Sequence, residues 1–82
     1  RQEFIAKMFQ NMNEEEIKEA LKLCEVLYAH NGSLSQAAAH LFIHKNTLQY
    51  KLNKLQEATG CDPRHTQTIP LYYLAMVFMK SL

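Results

Sequence analysis

Ser33-Leu-Ser-Gln-Ala-Ala-Ala-His-Leu-Phe-Ile-His-Lys-Asn-Thr-Leu-Gln-Tyr-Lys-Leu-Asn-Lys-Leu55 divides into a short apolar-faced segment, a brief break and a longer segment whose outer side is polar and basic. Ser33-Leu-Ser35 is an opening cap signal, because a serine oxygen accepts from the free amides of a first helical turn. Leu34, Ala37, Ala38 and Leu41 then recur at helical spacing, predicting a helix over residues 35–42. Ala37 and Ala38 are small enough for a second helix to cross close to this backbone. Phe42, Ile43 and His44 form the break, with Ile43 as an apolar plug beneath the turn. A second helix is expected over 45–59, ending at Gly60, the residue best suited to a left-handed C-cap.

At about 100° per residue, Leu48, Leu52 and Leu55 fall on one side of that second helix and define its buried face. Asn46, Tyr50 and Asn53 lie opposite, with Thr47 and Lys54 to one side and Gln49 to the other. No large aliphatic residue and, before Glu57, no acid interrupts this surface. Its amides, hydroxyls and ammonium groups suit a major groove: Asn and Gln pair with adenine, and Lys reaches guanine edges or phosphates. An ordinary solvated helix face has a similar composition. What favours nucleic acid is the combination with the preceding Ala-rich helix and the tight break, which together make a helix-turn-helix.

These residues also carry a family resemblance. Asn31-Gly-Ser33, Leu41 to Leu55 and Glu57-Ala-Thr-Gly60 resemble the C-terminal helix-turn-helix of the PucR/CdaR type, the sugar-diacid-regulator family. The likeness covers roughly residues 24–82 and is most specific in Phe42-Ile-His-Lys-Asn-Thr-Leu-Gln-Tyr50. More distantly, Thr47-Leu48 followed by Lys51-Leu52 is similar to the recognition helix of the factor for inversion stimulation. Members of the first family commonly have Arg where this chain has Lys45 and Lys51, a change that keeps the charge and loses the planar fork. The resemblance implies a bacterial regulator with an upstream sensing region, controlling a metabolic operon for sugar acids or purine breakdown.

A chain of 82 residues, 48% hydrophobic with two Gly and two Pro, is expected to be one small all-α domain of about five helices. Its net charge of +1 is uninformative, but the distribution is not. Residues 13–32 carry five acids against two lysines, whereas residues 33–54 carry Lys45, Lys51 and Lys54 with no acid. Such asymmetry suits a face turned to a polyanion. The chain begins with Arg1, which suggests a fragment of something longer, and no stretch approaches a membrane span or a signal peptide. Cys24 and Cys61 read as reduced thiols of a cytoplasmic protein.

Before the motif, Phe4, Ile5, Met8, Phe9 and Met12 predict a helix over 2–10, either joining to an upstream domain or packed on this one. Asn13 followed by Glu14-Glu15-Glu16 is a helix start, with acids where the helix dipole favours them. Ile17, Ala20, Leu21, Cys24, Leu27 and Tyr28 carry that helix to about residue 30. After Gly60, residues 61–68 form a polar connection, and a last helix begins near 66–68 with Pro70 tolerated in its first turn. Leu71, Leu74, Ala75, Phe78 and Leu82 make one stripe there, widened by Tyr72, Met76, Val77 and Met79. A helix apolar nearly all round is central or shared with a second subunit.

Four histidines and two cysteines invite zinc, but His40 and His44 straddle the turn and the cysteines lack close pairing, so no metal or other cofactor is expected. No nucleophile with a base, phosphate loop or carboxylate pair supports an enzyme. The expected function is sequence-specific binding of double-stranded DNA by a homodimer. Ser33, Ser35 and Gln36 would meet phosphates, and Lys45, Asn46, Thr47, Gln49 and Tyr50 base edges. Lys51 and Lys54 would take flanking phosphates, and His44 would cap the second helix or touch a phosphate. The alternative is a helical interaction or dimerisation module that does not touch DNA.

Overall fold

Asn13 and Glu16 set the position of the longest helix. The Asn13 side chain accepts from the Glu16 amide at 2.8 Å and the Glu16 carboxylate accepts from the Asn13 amide at 2.9 Å, a reciprocal cap. The computed structural model describes residues 2–81, with side chains over 3–80, and those residues form five helices and no strand. They are α1 (Gln2–Met8), α2 (Glu14–Ala29), α3 (Leu34–Leu41), α4 (Lys45–Thr59) and α5 (Ile69–Ser81). The all-α class, the helix count and the bounds of α4 match the expectation from sequence. Leu82, placed in the stripe of the last helix, lies outside the described residues.

Each boundary has a local cause. His30, Asn31 and Gly32 end α2, the last two at positive φ of 56° and 83°, and the Gly32 amide returns to the Leu27 carbonyl at 2.9 Å. The Ser33 hydroxyl accepts from the Gln36 amide at 3.2 Å, so α3 starts at Leu34, one residue earlier than periodicity suggests. Gly60 closes α4 at φ 79°. Between α3 and α4 the left-handed position falls on Phe42, at φ 58°, where L side chains are uncommon. α1 stops at Met8 and not at residue 10: after the Phe9 amide bonds the Ile5 carbonyl, the Gln10 and Met12 amides bond carbonyls only three residues back, at Lys7 and Phe9.

Two hydrophobic cores share α2 as a common wall. On one side Ala20, Leu21 and Cys24 meet Ile5, Met8 and Phe9 of the N-terminal segment, Leu55 of α4, and Tyr72, Ala75 and Met76 of α5. On the other, Leu23, Val26 and Leu27 meet Ala37 and Ala38 of α3 and Leu48 and Leu52 of α4, with Ile43 packed against them. The sequence-derived stripe captured the first wall and missed Leu23 and Val26 on the second. The N-terminal helix packs on this domain itself and leaves Phe4 half exposed.

The register of α5 also differs from expectation. Tyr72 and Ala75 are fully buried and Met76 nearly so, while Leu71, Leu74 and Phe78 lie at the margin. The reason is polar: the Tyr72 hydroxyl donates to the Cys61 carbonyl at 2.7 Å and lies 2.8 Å from Thr59 Oγ1. A buried phenol is admitted where its hydroxyl is satisfied. Tyr28 Oη donates likewise to the carbonyl of buried Pro63 at 2.7 Å, fixing the connection between α4 and α5.

Ala38 is 2% exposed, so a leucine there has nowhere to go without separating α3 from its neighbours. Ala38→Leu is expected to destabilise the fold by ~1–3 kcal/mol, whereas Ala39→Leu, on the exposed side of α3, should melt close to the wild type. Thermal and urea unfolding of the two variants tests the difference.

Candidate nucleic-acid interface

Burial of Leu48, Leu52 and Leu55, all at 3% exposure or less, orients α4 so that its other side points away from the protein. Lys45, Asn46, Thr47, Tyr50, Asn53 and Lys54 are exposed there, while Gln49 and Lys51 are half-buried at the edges. Tyr50 does not pack into a neighbouring helix. It is 62% exposed, and the Lys54 ammonium lies 5.8 Å from its ring centroid.

His44 is the N-cap of α4. Its Nδ1 accepts from the Asn46 amide at 3.0 Å, so in the neutral ring Nε2 carries the proton and is the available donor. At the start of α3, Ser33 is half-buried and its oxygen serves the helix, whereas Ser35 and Gln36 are exposed. The residues picked from sequence therefore fall on two neighbouring helix starts and one continuous helix face.

The electrostatics are more balanced than the charge count of residues 33–54 suggests. Lys51 Nζ lies 3.1 Å from Glu19 Oε2 of α2, and Lys54 Nζ lies 3.9 Å from Glu57. Lys45 alone of the three has no acidic partner among the described residues. Glu19 is 32 positions from Lys51, and no local pattern links the two.

Arg64 is a second participant that sequence reading passed over as part of a polar connection. Asp62 Oδ1 accepts from the Arg64 amide at 3.0 Å and from its Nε at 2.7 Å. Arg64 Nη2 then donates to Asn53 Oδ1 at 2.7 Å and to Gln56 Oε1 at 3.3 Å, so the connection is stapled to the outer side of α4. The one local hint was the spacing Asp62-Pro-Arg64, in which a carboxylate and a guanidinium flank a rigid residue. Partial burial pushes the Asp62 pKa up, but the side-chain and backbone hydrogen bonds from Arg64, with the positive charges of Arg64 and His65, hold it below the usual value. The Thr68 hydroxyl donates to the Asp62 carbonyl and closes the same loop.

No group of three or more metal-ligating side chains occurs among the described residues. His30 Nε2 and His40 Nδ1 do meet, 3.3 Å apart, joining the end of α2 to α3. Cys24 and Cys61 are both free thiols. Burial pushes the Cys24 thiol up to about 12, against a hydrogen bond with Tyr28 that lowers it, and so keeps it protonated and inert.

Comparison with known families matches residues 20–78 to the PucR C-terminal helix-turn-helix domain. The chain belongs to that family. Among curated proteins, this PucR-type domain is 37% identical over 69 residues to the proline-responsive transcriptional activator PutR of Bacillus subtilis (strain 168), covering 84% of this chain and 17% of PutR. It is 39% identical over 49 residues to the carbohydrate diacid regulator of Escherichia coli (strain K12), covering 60% of this chain and 13% of the regulator. The chain thus spans less than a fifth of the length of the curated relatives it matches. No solved structure matches it significantly. The PucR helix-turn-helix is a transcription-regulator domain, not an enzyme, and DNA is the partner such domains take. No described helix is long and apolar enough to cross a membrane.

The lowered Asp62 pKa makes the loop clasp sensitive to acid. A carboxyl whose folded pKa is depressed contributes stability that is complete above its unfolded value, near 3.8, and is lost as pH falls through the folded one. Wild type should therefore melt above Asp62→Asn at neutral pH, and the gap should close below pH 3.8. Paired melting curves across that range measure it.

Proposed function

We propose that this chain is the output domain of a bacterial transcription regulator, binding double-stranded DNA sequence-specifically with α4 in the major groove. The observation that carries the reading is the outer side of α4, where Lys45, Asn46, Thr47, Tyr50, Asn53 and Lys54 are exposed while every leucine of the helix is buried. α3 lies across the backbone, with Ser35 and Gln36, and the hydroxyl proton of Ser33, directed to phosphates. Lys45, Asn46, Thr47, Gln49 and Tyr50 face base edges. Lys54 and the Nε2 proton of His44 take flanking phosphates, and Lys51 does so by exchanging Glu19 for the duplex.

Half-site recognition by a homodimer follows from the same logic. Phe4 at 47% exposure, Tyr73 at 50% and Val77 at 62% are the exposed large apolar groups of α1 and α5 that a second copy would cover. A sensing region of the same polypeptide fits the much greater length of the matched regulators. On this reading the protein works in the cytoplasm, where its operator is.

Anisotropy titration against selected and random duplexes at two salt concentrations tests the core of the proposal, since phosphate contacts predict weaker binding as salt rises. Asn46→Ala and Gln49→Ala should each relax sequence preference at one base position by ~1–3 kcal/mol, and Lys54→Ala should weaken all duplexes alike and flatten the salt slope. Equal effects of both classes on selected and random DNA would contradict these roles. Sedimentation at high concentration should show self-association, and strictly monomeric behaviour would remove the dimer from the proposal.

A further inference from the structure

Arg64 touches two side chains on the outer side of α4, and what it does to one of them has a chemical consequence. Two bonds to Asp62 Oδ1, from the Arg64 amide and Nε, fix the root and direction of its side chain. Nη2 then donates to Asn53 Oδ1 at 2.7 Å. A guanidinium has only donors, so the carboxamide of Asn53 must turn its oxygen toward Arg64 and its amino group away. Asn53 is exposed, and it continues the line of Asn46 and Tyr50 about 10.5 Å along the helix from Asn46. No described residue accepts from its Nδ2.

An unconstrained asparagine offers a donor and an acceptor together, the pair that matches the N6 and N7 of adenine. With one lone pair of its oxygen taken and the carboxamide held in that orientation, Asn53 turns its Nδ2 donors away from Arg64. We infer that Arg64 is a positioning residue that fixes the Asn53 carboxamide with its amino group outward, favouring an acceptor-only feature of the duplex, a phosphate oxygen or the N7/O6 edge of guanine, over the paired donor and acceptor of adenine. The inference rests on the placement of α4 against DNA proposed above.

A double-mutant cycle on the full 82-residue chain tests it, with affinities for a duplex selected from a random pool and for random duplex. Asn53→Ala and Arg64→Met are each expected to weaken binding by about tenfold, as for one lost hydrogen bond of this kind. Combined, they should weaken it no more than either alone. A loss shared by random DNA identifies the phosphate as the acceptor; a loss confined to the selected duplex, with relaxed preference at one G·C pair, identifies guanine. A fresh selection with Arg64→Met should admit adenine at that position in the second case.

Arg64→Lys serves beside Arg64→Met, because its ammonium keeps a charge next to Asp62 but lacks the fork that reaches Asn53. It should retain the wild-type melting temperature more closely and still lose the coupling. Additive losses would overturn the inference, since Arg64 would then be acting on DNA directly or through stability alone. So would wild-type affinity in Asn53→Ala. Failure of the wild type to bind any duplex would overturn the placement of α4 as well, and is distinguishable because it appears before any substitution is made.

Discussion

The close passage of α3 at Ala37 and Ala38 is the constraint on which the rest depends. Both methyl groups are buried, against Leu23, Val26 and Leu27 from α2 and Leu48 and Leu52 from α4. Helices separated by larger side chains could not share one short turn and still bury these leucines. Once α3 is seated, the rotation of α4 about its own axis is fixed, because the leucines at 48, 52 and 55 must all face inward. The polar side of α4 then points outward as a consequence of packing.

The same seat explains why α2 is more than a support. Its two apolar walls hold one core that orients α4 and another that collects the N-terminal segment and α5. Leu55 belongs to the second core although it lies on α4, so the far end of that helix is anchored by a different set of residues from its beginning. Tyr72 closes the arrangement by satisfying its hydroxyl on the loop that leaves α4.

Sequence was most informative where the cause is local. The caps at Asn13, Ser33, His44 and Gly60 act within four residues of themselves, and the helices they bound were legible accordingly. The facing of α5 was not, because a nearly all-apolar helix has no polar side to declare its register, and the decision falls to hydrogen bonds between the Tyr72 hydroxyl and groups 11 and 13 residues away. Leu23 and Val26 were hidden in a similar way, by lying on a second wall that a single amphipathic stripe does not anticipate. At the candidate interface the residue types and their shared face were readable from a 3.6-residue period. What the period could not show is which of them the fold had already engaged: Lys51 by an acid on α2, and Asn53 by an arginine beyond the helix end.

Glu19 gives that engagement a wider meaning. One ammonium cannot serve a carboxylate and a phosphodiester at full strength together, so on the proposed reading every docking event strands an anion beside the polyanion it approaches. The penalty is blind to base order and falls on right and wrong sites alike. On that reading it would shorten the residence of the protein on arbitrary duplex, and leave the choice of where to stay to the contacts proposed to read sequence.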